Sequence, residues 1–227
     1  MKEKHVLADA SSLISLTSSC LLDSLKFFHD KFGVRFFIPQ SVEYESVTRP
    51  LSLNVKIHRF SALRIQKMIN DGIIHVVEEN LEKETRELMK TGNSVFYARG
   101  KPLNIFHKGE MEMIALAHKL DMGSLLMDER TTRILIEEPD ALRTHLQHEF
   151  KTNILINRKN LSKFLSGLDH MDVVRSTELI YLAYKNGFFG NYGEIEPESA
   201  AAALYKLKYS GCAISFKELE EYEKLIQ

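Results

Sequence analysis

The chain has 227 residues, a formal net charge of −1, and 44% hydrophobic against 27% charged residues. That is the make-up of an ordinary soluble globular protein, one domain with an elaboration or a domain plus a small helical appendage. A near-zero charge excludes a global basic field, so contact with nucleic acid has to use a local patch. Two cysteines, Cys20 and Cys212, exclude a disulfide framework and a Cys-rich zinc site.

In chain order, HVLAD at 5–9 reads as a buried strand. It leads into a helical stretch from residue 11 to 32 that Ser11 or Ser12 can cap. RFFIP at 35–39 is a second strand, with Pro39 turning into a helix of about ten residues. A helix near 58–70 ends at Gly72, which suits the position after a helix end. IIHVVE at 73–78 is a third strand. Residues 80–107 break the alternation and read as a short helix and surface loop. Then follow the helix GEMEMIALAHKL at 109–120, the strand SLLMD at 124–128, the helix TTRILIE at 131–137 and the strand NILIN at 153–157. Repeated βα alternation predicts an α/β fold with a mostly parallel sheet between helices. Beyond about residue 158 the pattern is helical: one helix over HMDVVRSTELIYLAYKNGFFG to Gly187, one ending at Gly211, and one opened by the capping pair Ser215 and Glu218. The expected division is 1–157 for the α/β domain and 158–227 for helices that bury Leu161, Phe164, Leu179, Leu182, Leu204, Leu207 and Leu219. No apolar run of about 18 residues is present to span a bilayer, and MKEKHVLADASS lacks the apolar core of a signal peptide. A cytoplasmic protein with no membrane association is expected.

Four carboxylates stand in otherwise apolar segments: Asp9, Glu45, Glu110 and Asp128. Asp9 and Asp128 close strands, and parallel sheets bind ligands at the carboxyl ends of their strands. On a helical wheel Glu110 shares a face with Met113, Ile114, Ala117 and Leu120, whereas Glu112 lies opposite beside Lys119. Each acid also has a structural reading: Asp9 as an Asx-type cap, Asp128 as the cap of the following helix through Thr131, and Glu110 as a first-turn residue favoured by the helix dipole. Periodicity leaves Glu43 and Glu45 as alternatives. Ser11 reads as a cap or as a support for the carboxylates. Arg130 and Arg133 read as solvated helix charges or as groups that neutralise a substrate phosphate. His145, His148 and Glu149 read as a surface helix. Gathered carboxylates without a basic cluster suit a hard cation, Mg²⁺ or Mn²⁺.

DASSLI at 9–14, IPQSVEYE at 38–45, GEMEMIALA at 109–117 and LLMDERTTR at 125–133 resemble, in this order, the motifs of PIN-domain proteins. The likeness is to the prokaryotic VapC-like branch with a GEAEAIALA-type motif, and LAYKNGFF at 182–189 resembles the tail of that branch. The resemblance implies a Rossmann-like three-layer α/β/α fold. It also implies a metal-binding set of Asp9, Glu45, Glu110 and Asp128, with Ser11 supporting Asp9 and Glu129 as an outer ligand. It favours Glu45 over Glu43. The implied activity is a Mg²⁺- or Mn²⁺-dependent endoribonuclease, in many members a toxin paired with a small antitoxin, and a homodimer is expected. The 80–107 insertion and the stretch before the tail depart from the short toxins. The alternative is a catalytically weak RNA-binding or protein-interaction module.

Overall fold

The computed structural model describes residues 4–53, 56–166, 168 and 171–226. His170 of the expected tail helix, Met1–Glu3 and Gln227 lie outside the described residues. The main sheet has five strands, all parallel: β1 (Lys4–Ala8), β2 (Val34–Pro39), β3 (Ile74–Val77), β6 (Ser124–Leu126) and β8 (Asp172–Val174), in the order β3-β2-β1-β6-β8. A smaller antiparallel sheet, β5-β4-β7, joins β4 (Phe96–Ala98), β5 (Lys101–Pro102) and β7 (Ile154–Ile156).

Between β1 and β2 run α1 (Ala10–Ser18) and α2 (Asp23–Phe32). The β2–β3 connection holds α3 (Gln40–Glu43), a π-helical turn (Tyr44–Thr48), α4 (Arg49–Ser52), a 3₁₀ turn (Lys56–His58) and α5 (Arg59–Asn70). The chain then crosses back through α6 (Glu82–Gly92) and α7 (Lys108–Leu120) to β6. Because right-handed crossovers in opposite directions place helices on opposite faces, α7 covers the face away from α1, α2 and α5. The two groups pack accordingly: α1 on α5, α6 on α7. After β6 come α8 (Arg130–Glu137), α9 (Pro139–Phe150) and α10 (Arg158–Leu165). After β8 come α11 (Ser176–Lys185), a 3₁₀ turn (Gly190–Ile195), α12 (Glu196–Tyr209) and α13 (Phe216–Ile226).

The expected strand at 153–157 forms, but not in the parallel sheet. It pairs with Phe96–Ala98 from the insertion, burying Ile154 and exposing Leu155, the in-out alternation of a half-covered antiparallel strand. The fifth parallel strand is Asp172–Val174, inside the stretch read as helix up to Gly187. Three residues are too few to establish a period of two before the helical pattern of α11 takes over. The tail helices bury Leu161, Phe164, Leu179, Leu204, Leu207 and Leu219 as expected, while Leu182 is exposed at a groove that it lines with Phe28, Phe32 and Val34. Among the described residues no helix is long and apolar enough to cross a membrane.

Candidate active site

Chain direction along the sheet reverses between β1 and β6, which are hydrogen-bonded neighbours. The crevice outside the carboxyl ends of such a pair is where open parallel sheets bind ligands. Asp9 ends β1, its amide donating to Leu126 O at 2.9 Å. Its carboxylate caps α1: Oδ2 accepts from Ser11 Oγ at 2.6 Å and from the Ser11 amide at 3.3 Å. The cap is therefore Asp9, rather than Ser11 or Ser12, and Ser11 holds the carboxylate. Burial raises the Asp9 pKa against these hydrogen bonds, and the charge of Glu45 raises it further.

Glu45 belongs to the π-helical turn and is exposed. Such a turn inserts one residue into the helical repeat and is common at functional sites. Glu43 is engaged elsewhere, accepting from Thr48 Oγ1 at 2.8 Å. Glu110 opens α7, where Oε2 accepts from the His107 amide at 3.0 Å and from Thr132 Oγ1 at 3.2 Å. Burial pushes the Glu110 carboxyl up to about 7, against the His107 hydrogen bond and with help from the charges of Glu129 and Asp9. Met113, Ile114 and Ala117 of its helix face are buried, but Leu120 at the last turn is exposed. Glu112 is half-buried and lines a separate cleft of about 490 Å³ with Gln40, Glu78, Glu82 and Lys108.

The capping role that was the structural alternative for Asp128 falls to Glu129. Asp128 does not cap α8; Glu129 does, its two oxygens accepting from the amides of Thr131 and Thr132 at 2.7 Å each. Asp128 is fully buried and turned to the tail, with Oδ1 accepting from the Ser176 amide at the start of α11 at 2.7 Å. Burial raises the neighbouring Cys212 thiol to about 12, and the Asp128 charge contributes. Ser11 Oγ reaches the Asp128 amide at 3.3 Å, so the hydroxyl links the ends of β1 and β6. Asp is a far commoner helix cap than Glu, which is why capping was the structural alternative for Asp128 beside the expected role of metal ligand. Nothing local signals that an amide 48 residues on would take its carboxylate. Arg133 pairs with Glu137 on its own helix at 2.7 Å, and Arg130 is exposed. His145 and Glu149 lie 3.7 Å apart on the outside of α9.

The structure thus groups Asp9 with Glu45 and Glu110 with Asp9 and Glu129 as electrostatic neighbours. The donor chemistry fits a hard cation: Asp9, Glu110 and Glu129 are carboxylates held by hydroxyls and amides, with the anionic form of Asp9 and Glu110 disfavoured. Asp9, Glu110 and Glu129 are nevertheless held apart, each on its own hydrogen bonds, and Glu45 is exposed. Among the described residues no three His, Cys, Asp or Glu side chains converge closely enough to hold a metal ion. Comparison with protein-family models, with curated proteins and with solved structures finds no match.

Proposed function

We propose that the protein is a metal-dependent nuclease of PIN type that hydrolyses phosphodiester bonds, with RNA as its substrate class. One observation carries the reading. At the switch point of a parallel sheet, Asp9 and Glu110 have raised pKa values, from burial and from their acidic neighbours, and their hydrogen bonds come from Ser11, His107 and Thr132 rather than from a Lys or Arg. Asp9, Glu110 and Glu129 are the carboxylates that would have to draw together around a cation, since they do not converge as they stand, with exposed Glu45 beside them. A bound Mg²⁺ or Mn²⁺ would supply the positive charge that lowers the pKa of water and offsets charge on the phosphate. Ser11 orients Asp9, Thr132 orients Glu110, and the first-turn amides of α8 orient Glu129. Without a cation the Glu110 carboxyl stands near 7, so binding one at neutral pH would displace its proton. Fully buried Asp128 acts by fixing the loop that carries Glu129.

The test is cleavage of an end-labelled RNA oligonucleotide by the full chain, with Asp9→Asn purified in parallel. Cleavage is expected with Mg²⁺ or Mn²⁺, lost with chelator, and reduced roughly a hundredfold or more in Asp9→Asn. Undiminished cleavage in chelator, or in Asp9→Asn, overturns the mechanism. The spread of the acids favours one second reading, a strand-binding module without hydrolysis, which predicts binding and no cleavage with either metal.

A further inference from the structure

From Ser46 to Asn70 the sequence contains no Asp or Glu, although the whole chain carries 31 acids. The same stretch holds Arg49, Lys56, Arg59, Arg64 and Lys67, together with His58. In a protein of net charge −1 this is the local basic patch that overall composition conceals. Arg64 pairs with Asp23, and Lys67 with Asp71. Arg49, Lys56 and Arg59 stand exposed, with no ion-pair partner among the described residues. Interleaved with them are exposed rings and apolar side chains: Tyr44, Leu53, Ile57 (77% exposed), Phe60 (66%) and Leu63. On α5 the spacing of Phe60, Leu63 and Lys67 keeps them on one outer side, while Ala62, Ile65 and Met68 face the core. This surface adjoins the acidic crevice. The π-helical turn that bears Glu45 also bears Tyr44, and α5 packs on that turn and on α1, the helix that Asp9 caps.

We infer that this face, formed by Tyr44, Arg49, Lys56, Arg59 and Phe60, binds single-stranded nucleic acid and presents it to the acidic crevice. Cations tracking a backbone and rings stacking on bases are the means by which single strands are held without sequence readout. A carboxylate site repels a phosphate chain, so an adjoining basic surface is the element such a site needs to retain its strand. A second copy of this chain is the weaker occupant, because a two-fold interface would set the same unpaired cations against each other. The inference deepens the nuclease reading and rests on it only for what happens to the strand after binding.

The experiment is fluorescence anisotropy of labelled oligouridine on the full chain in chelator, where binding is read without cleavage. An equal-length duplex serves as comparison, and light scattering reports the oligomer. Expected are a preference for the single strand and a loss of about tenfold or more in Arg49→Glu/Lys56→Glu/Arg59→Glu. Phe60→Ala should weaken binding by about fivefold or more, the loss of one stacked base, with the salt dependence unchanged. Arg59→Gln should lower the slope of log K against log salt by about 0.7, and Arg59→Lys should not. Circular dichroism confirms that each variant folds. Equal affinity for duplex and single strand, or unchanged affinity in the charge and Phe60 variants, overturns the inference. So does a Phe60→Ala effect confined to the oligomeric state, which would make the face a dimer interface. Binding through this face with no cleavage in Mg²⁺ or Mn²⁺ defeats the nuclease reading alone. Cleavage with unchanged KM in the variants defeats the surface alone.

Discussion

Glu110 closes the first turn of α7 on the His107 amide while burial raises its carboxyl to about 7. Between its ordinary 4.5 and about 7 the folded chain keeps a proton that the unfolded chain releases. Stability therefore falls as pH rises through that window, and the whole penalty is present above it. Glu110→Gln keeps an oxygen for His107 and Thr132 but carries no charge. In chelator it is expected to melt higher than wild type at pH 8, by on the order of 1–2 kcal/mol after discounting for solvent screening, with the two converging near pH 4. A lower melt at pH 8 would remove Glu110 from the set of unfavourable anions. Saturating Mg²⁺ should raise the wild-type melt and leave Glu110→Gln unmoved, a readout of metal binding separate from activity. Glu112→Gln, outside the crevice, should change neither. Asp128→Ala strands the buried Ser176 amide and is expected to cost about 1–3 kcal/mol in denaturant unfolding, while Asp128→Asn keeps an acceptor and costs less. Asp9 and Glu110 were legible in the sequence because strand ends and helix phase locate them. The division of labour between Asp128 and Glu129 was not, because the ladder ends at Leu126 and alternation no longer dictates direction.

At the scale of elements, the strands with long apolar runs announced themselves, and the three-residue β8 and β4 did not. The insertion, read as a short helix and a surface loop, supplies that helix but has two strands where the loop was expected, and besides the packing of α6 on α7 a side chain ties it to the site. Asn93 Oδ1 accepts from the amides of Ile105 and Phe106 at 2.9 and 3.0 Å, and its Nδ2 donates to Phe106 O at 3.2 Å. Those bonds fix the approach to α7 and hence the position of Glu110. Asn93→Ala is expected to lose about 2–3 kcal/mol by thermal melt and to lower cleavage more than stability alone explains. Asn93→Asp, which keeps the acceptor for both amides, should retain more of both. Equal losses in the two would mean that the loop is held by packing of Phe106 on Phe164.

For the whole molecule, the expected boundary at 157/158 does not separate the parallel sheet from the tail. The edge strand β8 and the cap on Asp128 both come from beyond it. Arg175, buried at the end of β8, holds the tail together: its Nε donates to Glu178 and its Nη1 to Glu218 on α13, each at 2.7 Å. The turn at Gly211, whose φ of 119° strains any residue with a Cβ, brings Ser210 O against Ser15 and the Ala213 amide against Asp128 O. A chain ending at Leu165 would leave β6 as an open edge and Asp128 without its amide partner. It is expected to be insoluble or unfolded, whereas an independent appendage would leave it as stable as the full chain. Removal of α13 alone tests the finer coupling. Burial works to raise the Glu218 carboxyl, but hydrogen bonds from Ser215 and the charge of Arg175 bring it down to about 2. The sign is that of a depressed acid: the stabilisation is present above 4.5 and lost as pH falls toward 2. Because Glu218 is partly solvated, the effect is modest. Glu218→Gln should therefore melt slightly below wild type by a constant margin from pH 7 to about 4.5, with the difference narrowing as pH falls on toward 2. A difference that stays constant below 4.5 as well would show that the bond to Arg175 acts through shape rather than charge.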